Sequence, residues 1–373
     1  MLTNKKLQSN LHDISHELFY SELYQNMIEK GTDLLIERFR GYVKECRHIA
    51  DNLRGAIRTR RCIVDKGTLA SKSIVGVDAG HNGVHFRFAY VPIYNAVAVL
   101  FRGMELKGEP LCVSGPPDIW AVDDEPERRE NLLHMALEYY VARRAVELWN
   151  PDYLIIDGGI VLNPRLHPNS SDPSEYRYDF TYTVMQALEL LRVCKENNVL
   201  VLGFVKRSCM NYYGRLLGYE KFRDATFLSL IMSEGEYTEP FPMKNKVSES
   251  YARIAEELGM DGGIAEVYSS YVKTWIIPFR IEIPSFNLDM LDEAISFVAS
   301  SANVMGIPYP IHEADRYTRI SKPFSNIHTL NFFAKAVELV KRGELTSEEL
   351  NFLLLQHGEF WALTDASKGS WEP

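Results

Sequence analysis

Two short segments constrain this chain more than any others: Ile74-Val75-Gly76-Val77-Asp78-Ala79-Gly80 and Leu154-Ile155-Ile156-Asp157-Gly158-Gly159. Each is an apolar β run that ends in an aspartate, with glycine at once or one residue later. A carboxylate there stands at the edge of a sheet and can point into a cleft while its strand stays buried. Glycine lets a backbone or a phosphate approach closely. If the two strands are neighbours, two carboxylates converge, and one must hold a proton unless a cation neutralises them. Mg2+ and Mn2+ favour such hard oxygen ligands. Either aspartate alone would serve as a turn cap; the matched pair points to a metal.

Around these segments the chain reads as α/β. Residues 84–91 and 96–101 are strand-like and follow the first unit closely, which predicts a three-stranded antiparallel meander. Pro126 opens a helix to about Trp149, with Leu133, Ala136, Leu137, Tyr140 and Val141 on one stripe. A polar loop over 163–177 leads to a helix near 182–197, and 199–205 reads as a buried parallel strand. The sum is a mixed sheet with helices packed on it. Leu11, Ile14, Leu18, Leu23, Met27, Leu34, Leu35 and Phe39 recur at helical spacing, predicting an N-terminal helical arm over 1–66 rather than part of the sheet. The central domain is expected over 67–325. Within it, 209–270 reads as a helical insertion, 273–283 as a strand pair or one bent strand, and 288–302 as an amphipathic helix. The helix over 331–341 belongs to a C-terminal helical stretch, 326–373.

The 46% hydrophobic and 24% charged residues exclude a mainly disordered chain. Five scattered cysteines with no CxxC pair argue against a disulfide framework or a zinc ribbon and fit a reducing cytoplasm. The opening residues carry no signal-peptide pattern. The longest apolar run, 96–101, is far short of the ~20 residues of a membrane helix, so no membrane association is expected. The net charge of −9 weighs little against a polyanionic partner, because a metal site is itself acidic and basic residues act locally. Arg54, Arg58, Arg60 and Arg61 form one basic cluster, either a solvated helix end or a phosphate-contacting patch.

In the helix between the two aspartates, Glu130 precedes Leu133 and Leu137 by three and seven residues and so shares the inward stripe. It is the candidate third carboxylate, and Glu127 is the alternative; either would also complement the helix dipole. His81 is a turn residue or a substrate contact. Lys206 and Arg207 are a solvated strand end or a phosphate site. No GxSxG or Walker motif is present, and no GxGxxG stands between a strand and a helix.

The N-terminal arm, VDAG, the glutamate-bearing helix, IIDGG and the late segment GIPYPIHEADRYTRIS together resemble the NurA nuclease family over 74–321. The resemblance implies a ribonuclease-H-like core and a manganese-dependent nuclease acting on single- and double-stranded DNA. It also implies a ring-like homodimer working with HerA, a hexameric ATPase, in DNA end resection. Asp78, Asp157 and a helix glutamate would then be metal ligands, and the reaction would be phosphodiester hydrolysis assisted by two Mn2+ or Mg2+ ions. Where relatives carry Tyr-Pro-x-Pro and then Ala-His, this chain has Ile307-Pro308-Tyr309-Pro310 and then Ala314-Asp315. Asp315 thus stands in the histidine's place as the fourth ligand, and Ile307 in the tyrosine's, with Tyr309, a candidate substrate contact, and His312 nearby. Ile311 and Ala314 make one edge of that helix apolar, which should turn Asp315 inward; an Asp315–Arg319 surface pair is the plainer alternative. Two further readings stay open. One is an actin-like ATPase or sugar kinase, whose phosphate loops VGVDAGHNG and LIIDGG resemble; the other is a non-catalytic DNA- or ATPase-binding partner of the same fold.

Overall fold

The computed structural model describes residues 20–352 other than 87, 217 and 220. The apolar spacing at Leu11, Ile14 and Leu18 and the C-terminal stretch from 353 onward lie outside the described residues. In chain order the elements are helix α1 (Tyr20–Leu53), strand β1 (Thr59–Arg61), a short helix α2 (Lys66–Leu69), and strands β2 (Ser73–His81), β3 (Val84–His85), β4 (Ala89–Val91), β5 (Tyr94–Arg102), β6 (Glu105–Ser114) and β7 (Trp120–Ala121). Helix α3 (Pro126–Trp149), strand β8 (Tyr153–Asp157), helix α4 (Ser174–Glu196) and strand β9 (Leu200–Val205) follow. Beyond them lie α5 (Tyr212–Leu216), α6 (Asp224–Ile231), β10 (Glu236–Thr238), β11 (Phe241–Pro242), α7 (Lys246–Glu257), β12 (Val267–Val272) and β13 (Phe279–Pro284). The last helices are α8 (Leu291–Ser301), α9 (Tyr309–Thr318), α10 (Lys322–Lys341) and α11 (Ser347–Phe352). Among the described residues no helix is long and apolar enough to cross a membrane.

The chain divides into two compact units, 1–57 with 211–231, and 58–210 with 232–373. The first holds α1, α5 and α6. The second is built on one mixed sheet in the order β1-β10-β12-β13-β9-β8-β2-β5-β6, with β11 beside β12. Its centre is parallel, β2 with β8 and β8 with β9, and its flanks are antiparallel. This is the mixed sheet flanked by helices that the strand pattern called for.

Several local expectations are corrected. Thr59–Arg61 is not the end of a helical arm but an edge strand, pairing with β10 from Thr59↔Thr238 to Arg61↔Glu236; α1 has already stopped at Leu53, before Gly55. Residues 84–91 do not form the middle strand of the meander. β2 pairs with β5 along all nine residues, β6 is the third strand, and β3 and β4 fold aside with β7 into a separate small sheet. Phe86 and Tyr90 are buried there, Tyr90 stacked on Trp120 of β7 and hydrogen-bonded to Glu130, so this segment has its own partners apart from the main sheet. The stretch 209–270 is not wholly helical, because β10 and β11 pair into the sheet. Residues 273–278 are the turn of a β12–β13 hairpin. Helix α4 starts at Ser174, well before 182, since Tyr176 and Phe180 are already core residues. Helix α10 starts at Lys322, where Ser321 caps it by accepting from the Phe324 amide.

Side chains alternate across β2 as the pleat requires. Val75 and Val77 join the core beneath α3, α4 and α7, while Ile74 faces the other way, into the core beneath α8 and α9. Gly76, Asp78 and Gly80 share that second face. A Cβ at Gly76 would stand 2.4 Å from the Pro310 carbonyl, and one at Gly80 2.2 Å from the Thr318 carbonyl oxygen. Helix α9 therefore lies directly on the β2 backbone, with both ends seated on glycines and Asp78 between them. Gly76→Ala is expected to push α9 away and to lower stability by roughly 2 kcal/mol or more. A fall in melting temperature of several degrees, with weaker metal binding, checks this; unchanged values would mean that α9 is not held by that contact.

Candidate metal centre

β2 and β8 run parallel with Val77 opposite Ile156, so the next residues, Asp78 and Asp157, stand side by side on adjacent strands. They face the side on which α9 packs. There Thr318 Oγ1 donates to Asp78 Oδ2, and Asp315, one turn earlier, turns to the same place. One carboxylate oxygen from each of Asp78, Asp157 and Asp315 lies within 4.8 Å of the others. The apolar edge expected of α9 exists, with Ile311 and Ala314 fully buried. Asp315 also pairs with Arg319 at 2.8 Å, the plainer alternative for this residue, while its carboxylate converges on Asp78 and Asp157.

The helix glutamate whose charge is felt by this group is Glu138, not Glu130; the sequence reading passed over it, and it lies outside the three-aspartate cluster itself. Its side chain is 3% exposed and its Oε1 is buried with no hydrogen-bond donor. Burial, then the charges of Asp78 and Asp157, push its pKa well above the ordinary carboxylate value. Asp78 is pushed up to about 7 by burial and then by Asp157, against the pull of Thr318 and Lys206. Asp157 is raised by burial, with the Lys206 ammonium opposing; Lys206 Nζ donates to Asp157 Oδ2. Two adjacent aspartates that resist ionisation, with Asp315 converging on them and a buried, donor-less glutamate oxygen whose charge opposes theirs, fit a divalent cation.

Glu130 is placed elsewhere. It is buried, as its stripe predicted. However, Oε1 accepts from the Ile93 amide at 2.8 Å, and Oε2 from Tyr90 Oη at 2.6 Å, the Gly83 amide at 3.3 Å and His81 Nδ1 at 3.0 Å. Burial raises its pKa, but the donors His81, Tyr90 and Ile93 outweigh it and the net shift is downward. Glu130 fastens the turn after β2 and the small sheet to α3. His81 belongs to that network, and its ring lies 4.4 Å from that of His134. Glu127 is exposed and meets His85 at 2.7 Å. Tyr309 donates to the Gly103 carbonyl and packs edge-on against Phe101, as a core contact of α9. Arg58, Arg60 and Arg61 line the edge strand, with Arg60 near Glu239 and Asp292 at 3.8 and 3.9 Å. Arg54 belongs to the other unit and donates to the Leu230 carbonyl. Arg207 is exposed beside Lys206.

The raised pKa of Asp78 has a measurable consequence. Between its unfolded value near 4 and its folded value of about 7, the native state holds a proton that the unfolded chain has released. Stability therefore falls as pH rises through that window. In EDTA the melting temperature is expected to drop by several degrees from pH 5 to pH 8, and Asp78→Asn or saturating Mn2+ should flatten the drop. An equal slope in wild type and Asp78→Asn would rule the effect out.

Asp157 ends β8, whereas Asp78 lies inside β2, which runs on to His81; carboxylates level on these adjacent parallel strands and roofed by a helix define a divalent-metal site on an α/β scaffold. The NurA domain matches residues 72–320, and the chain belongs to the NurA family. Similar solved structures include the NurA nuclease from Sulfolobus solfataricus, 16% identical over 88% of this chain and 99% of that one, with a TM-score of 0.61. A NurA with manganese is 11% identical over 83% and 98%, TM-score 0.54. A NurA bound to dAMP and manganese is 12% identical over 80% and 94%, TM-score 0.52. At such identities the likeness is one of fold. No functionally curated protein matches the sequence.

Proposed function

We propose that this chain is a divalent-metal-dependent deoxyribonuclease in which Asp78, Glu138, Asp157 and Asp315 hold Mn2+ or Mg2+. The observation that carries the reading is the convergence of Asp78, Asp157 and Asp315, with the buried Glu138 opposed by the charges of Asp78 and Asp157, in a member of the NurA family. Manganese and dAMP in similar NurA structures support it. Metal bound there would supply Lewis acidity and an activated water for phosphodiester hydrolysis. The four carboxylates hold and orient that ion or ion pair, and burial of Asp78 and Glu138 keeps bulk water from weakening their charge. Glu130, with His81, fixes the turn that frames the site. Arg54, Arg58, Arg60, Arg61 and Arg207 are proposed phosphate contacts.

The wider setting that fits this chemistry is DNA end resection in the cytoplasm by a homodimer that works with a HerA-type hexameric ATPase, cutting by exo- and endonucleolytic modes. Labelled single- and double-stranded DNA incubated with Mn2+, Mg2+ or EDTA tests the core claim. Cleavage with either metal and none in EDTA is expected. Absence of cleavage under all three conditions, from folded protein, would defeat the reading.

A further inference from the structure

Two of the three clustered aspartates already carry a cation. Lys206, at the end of β9, has its ammonium on Asp157 Oδ2. Arg319, just past α9, donates to Asp315 Oδ2 through Nη2 at 2.8 Å and Nε at 3.2 Å. Asp78 Oδ2 takes only the neutral Thr318 hydroxyl, and Glu138 Oε1 takes nothing. The two cations thus sit on the two carboxylates of the group nearest solvent. The Lys206 side chain is 25% exposed and that of Arg319 72%, so each has an open side.

A divalent ion seeking the same oxygens must compete with these N–H donors, and once bound it repels them as like charges. Both stems are long and flexible, so the heads can swing away while staying tethered at the site. We propose that Lys206 and Arg319 exchange roles when metal binds, from counter-ions of Asp157 and Asp315 to ligands for phosphates of a nucleic-acid strand laid across the centre. The inference rests on the metal-dependent nuclease reading and adds a coupling to it. Metal binding creates two phosphate contacts that the metal-free protein lacks, so metal and DNA raise each other's affinity. Each released cation also adds to the salt dependence of single-strand binding, by about 0.7 in log–log slope per phosphate. The slope with metal should therefore exceed that without by about 1.4 on this count.

The experiment uses the full chain, Mn2+ alone in calorimetry, and a phosphorothioate oligothymidylate, which resists cleavage, in anisotropy titrations over a salt series. Wild type is compared with Lys206→Met, Arg319→Met and the double variant; Arg319 is exposed enough for its variant to fold whatever becomes of Lys206→Met. The variants should bind Mn2+ about fivefold more tightly or better, having lost a competitor. They should also lose the Mn2+-induced tightening and steepening of DNA binding, by half in each single variant and fully in the double. Variants that bind Mn2+ no better than wild type and keep the full steepening would overturn the inference while leaving the metal site standing. Wild type that binds no Mn2+ at all would instead remove the reading beneath it.

Discussion

Asp78→Asn and Asp157→Asn should each reduce Mn2+-dependent cleavage by on the order of a thousandfold, the scale of removing one charge-stabilising group from a water-excluded site. Both substitutions preserve shape and delete a single negative charge from adjacent strands that are otherwise buried. The metal-free proteins should nevertheless differ from one another. Asp78 resists ionisation in the fold, its pKa standing at about 7, and Thr318 Oγ1 can donate to an asparagine oxygen as it does to the carboxylate. Asp78→Asn should therefore melt higher than wild type in EDTA at pH 8, where the wild-type carboxylate is ionised at a cost. Asp157→Asn removes a repulsive charge too, but it strands the Lys206 ammonium that Asp157 holds, so its gain should be smaller or absent. Cleavage assays with calorimetry of the same samples check both parts. Wild-type activity in either folded variant would remove that residue from the centre.

The two aspartates were legible because a continuous apolar run followed by Asp and glycine marks a buried strand with one polar side chain, and parallel pairing sets Asp78 and Asp157 level, although β2 continues past Asp78 to His81. Asp315 was legible through Ile311 and Ala314, whose spacing names the buried edge of a short helix. Glu138 was not. The leucines at 133 and 137 drew the inward stripe of α3 through Glu130, yet α3 is covered both by the sheet and by α4, and its buried arc takes in Leu132, Ala136, Tyr139 and Ala142 as well. An arc that wide admits Glu138, which has Met135 three residues before it and Ala142 four after; that line of apolar neighbours was the available signal. The edge strands β1 and β10 were beyond reach for a different reason. Each is three residues long, and their pairing joins positions nearly 180 apart in sequence, such as Thr59 and Thr238, so no local period announces it. Residues 84–91 alternate like a strand but spend their alternation on a separate small sheet that serves Glu130.

The sharpest separation of the two helix glutamates is expected from Glu138→Gln beside Glu130→Gln, whose effects should run in opposite directions. Eight residues of helix place their Cα atoms about 12 Å apart along the axis, too far to serve one ion. Glu130 accepts four hydrogen bonds, two of them from backbone amides. A glutamine must turn its amide nitrogen toward either the Ile93 or the Gly83 N–H, leaving one buried donor facing another; that costs about 1–3 kcal/mol. Glu130→Gln should therefore melt several degrees lower while still binding Mn2+, because its carboxylate is already taken by those four donors. Glu138 is the reverse case. It has no donor on Oε1, and its neighbours Asp78 and Asp157 oppose its charge, so the metal-free fold loses little with Gln and should melt as high as wild type or higher. The same exchange takes one anionic ligand from the ion, which should weaken Mn2+ binding by at least about tenfold and cleavage by on the order of a hundredfold or more. Melting in EDTA and Mn2+ calorimetry on the two variants give four readings. If Glu130→Gln is the variant that loses metal while keeping its melting temperature, the ligand set is Asp78, Glu130 and Asp157, and the buried Glu138 is a structural acid held neutral beside them.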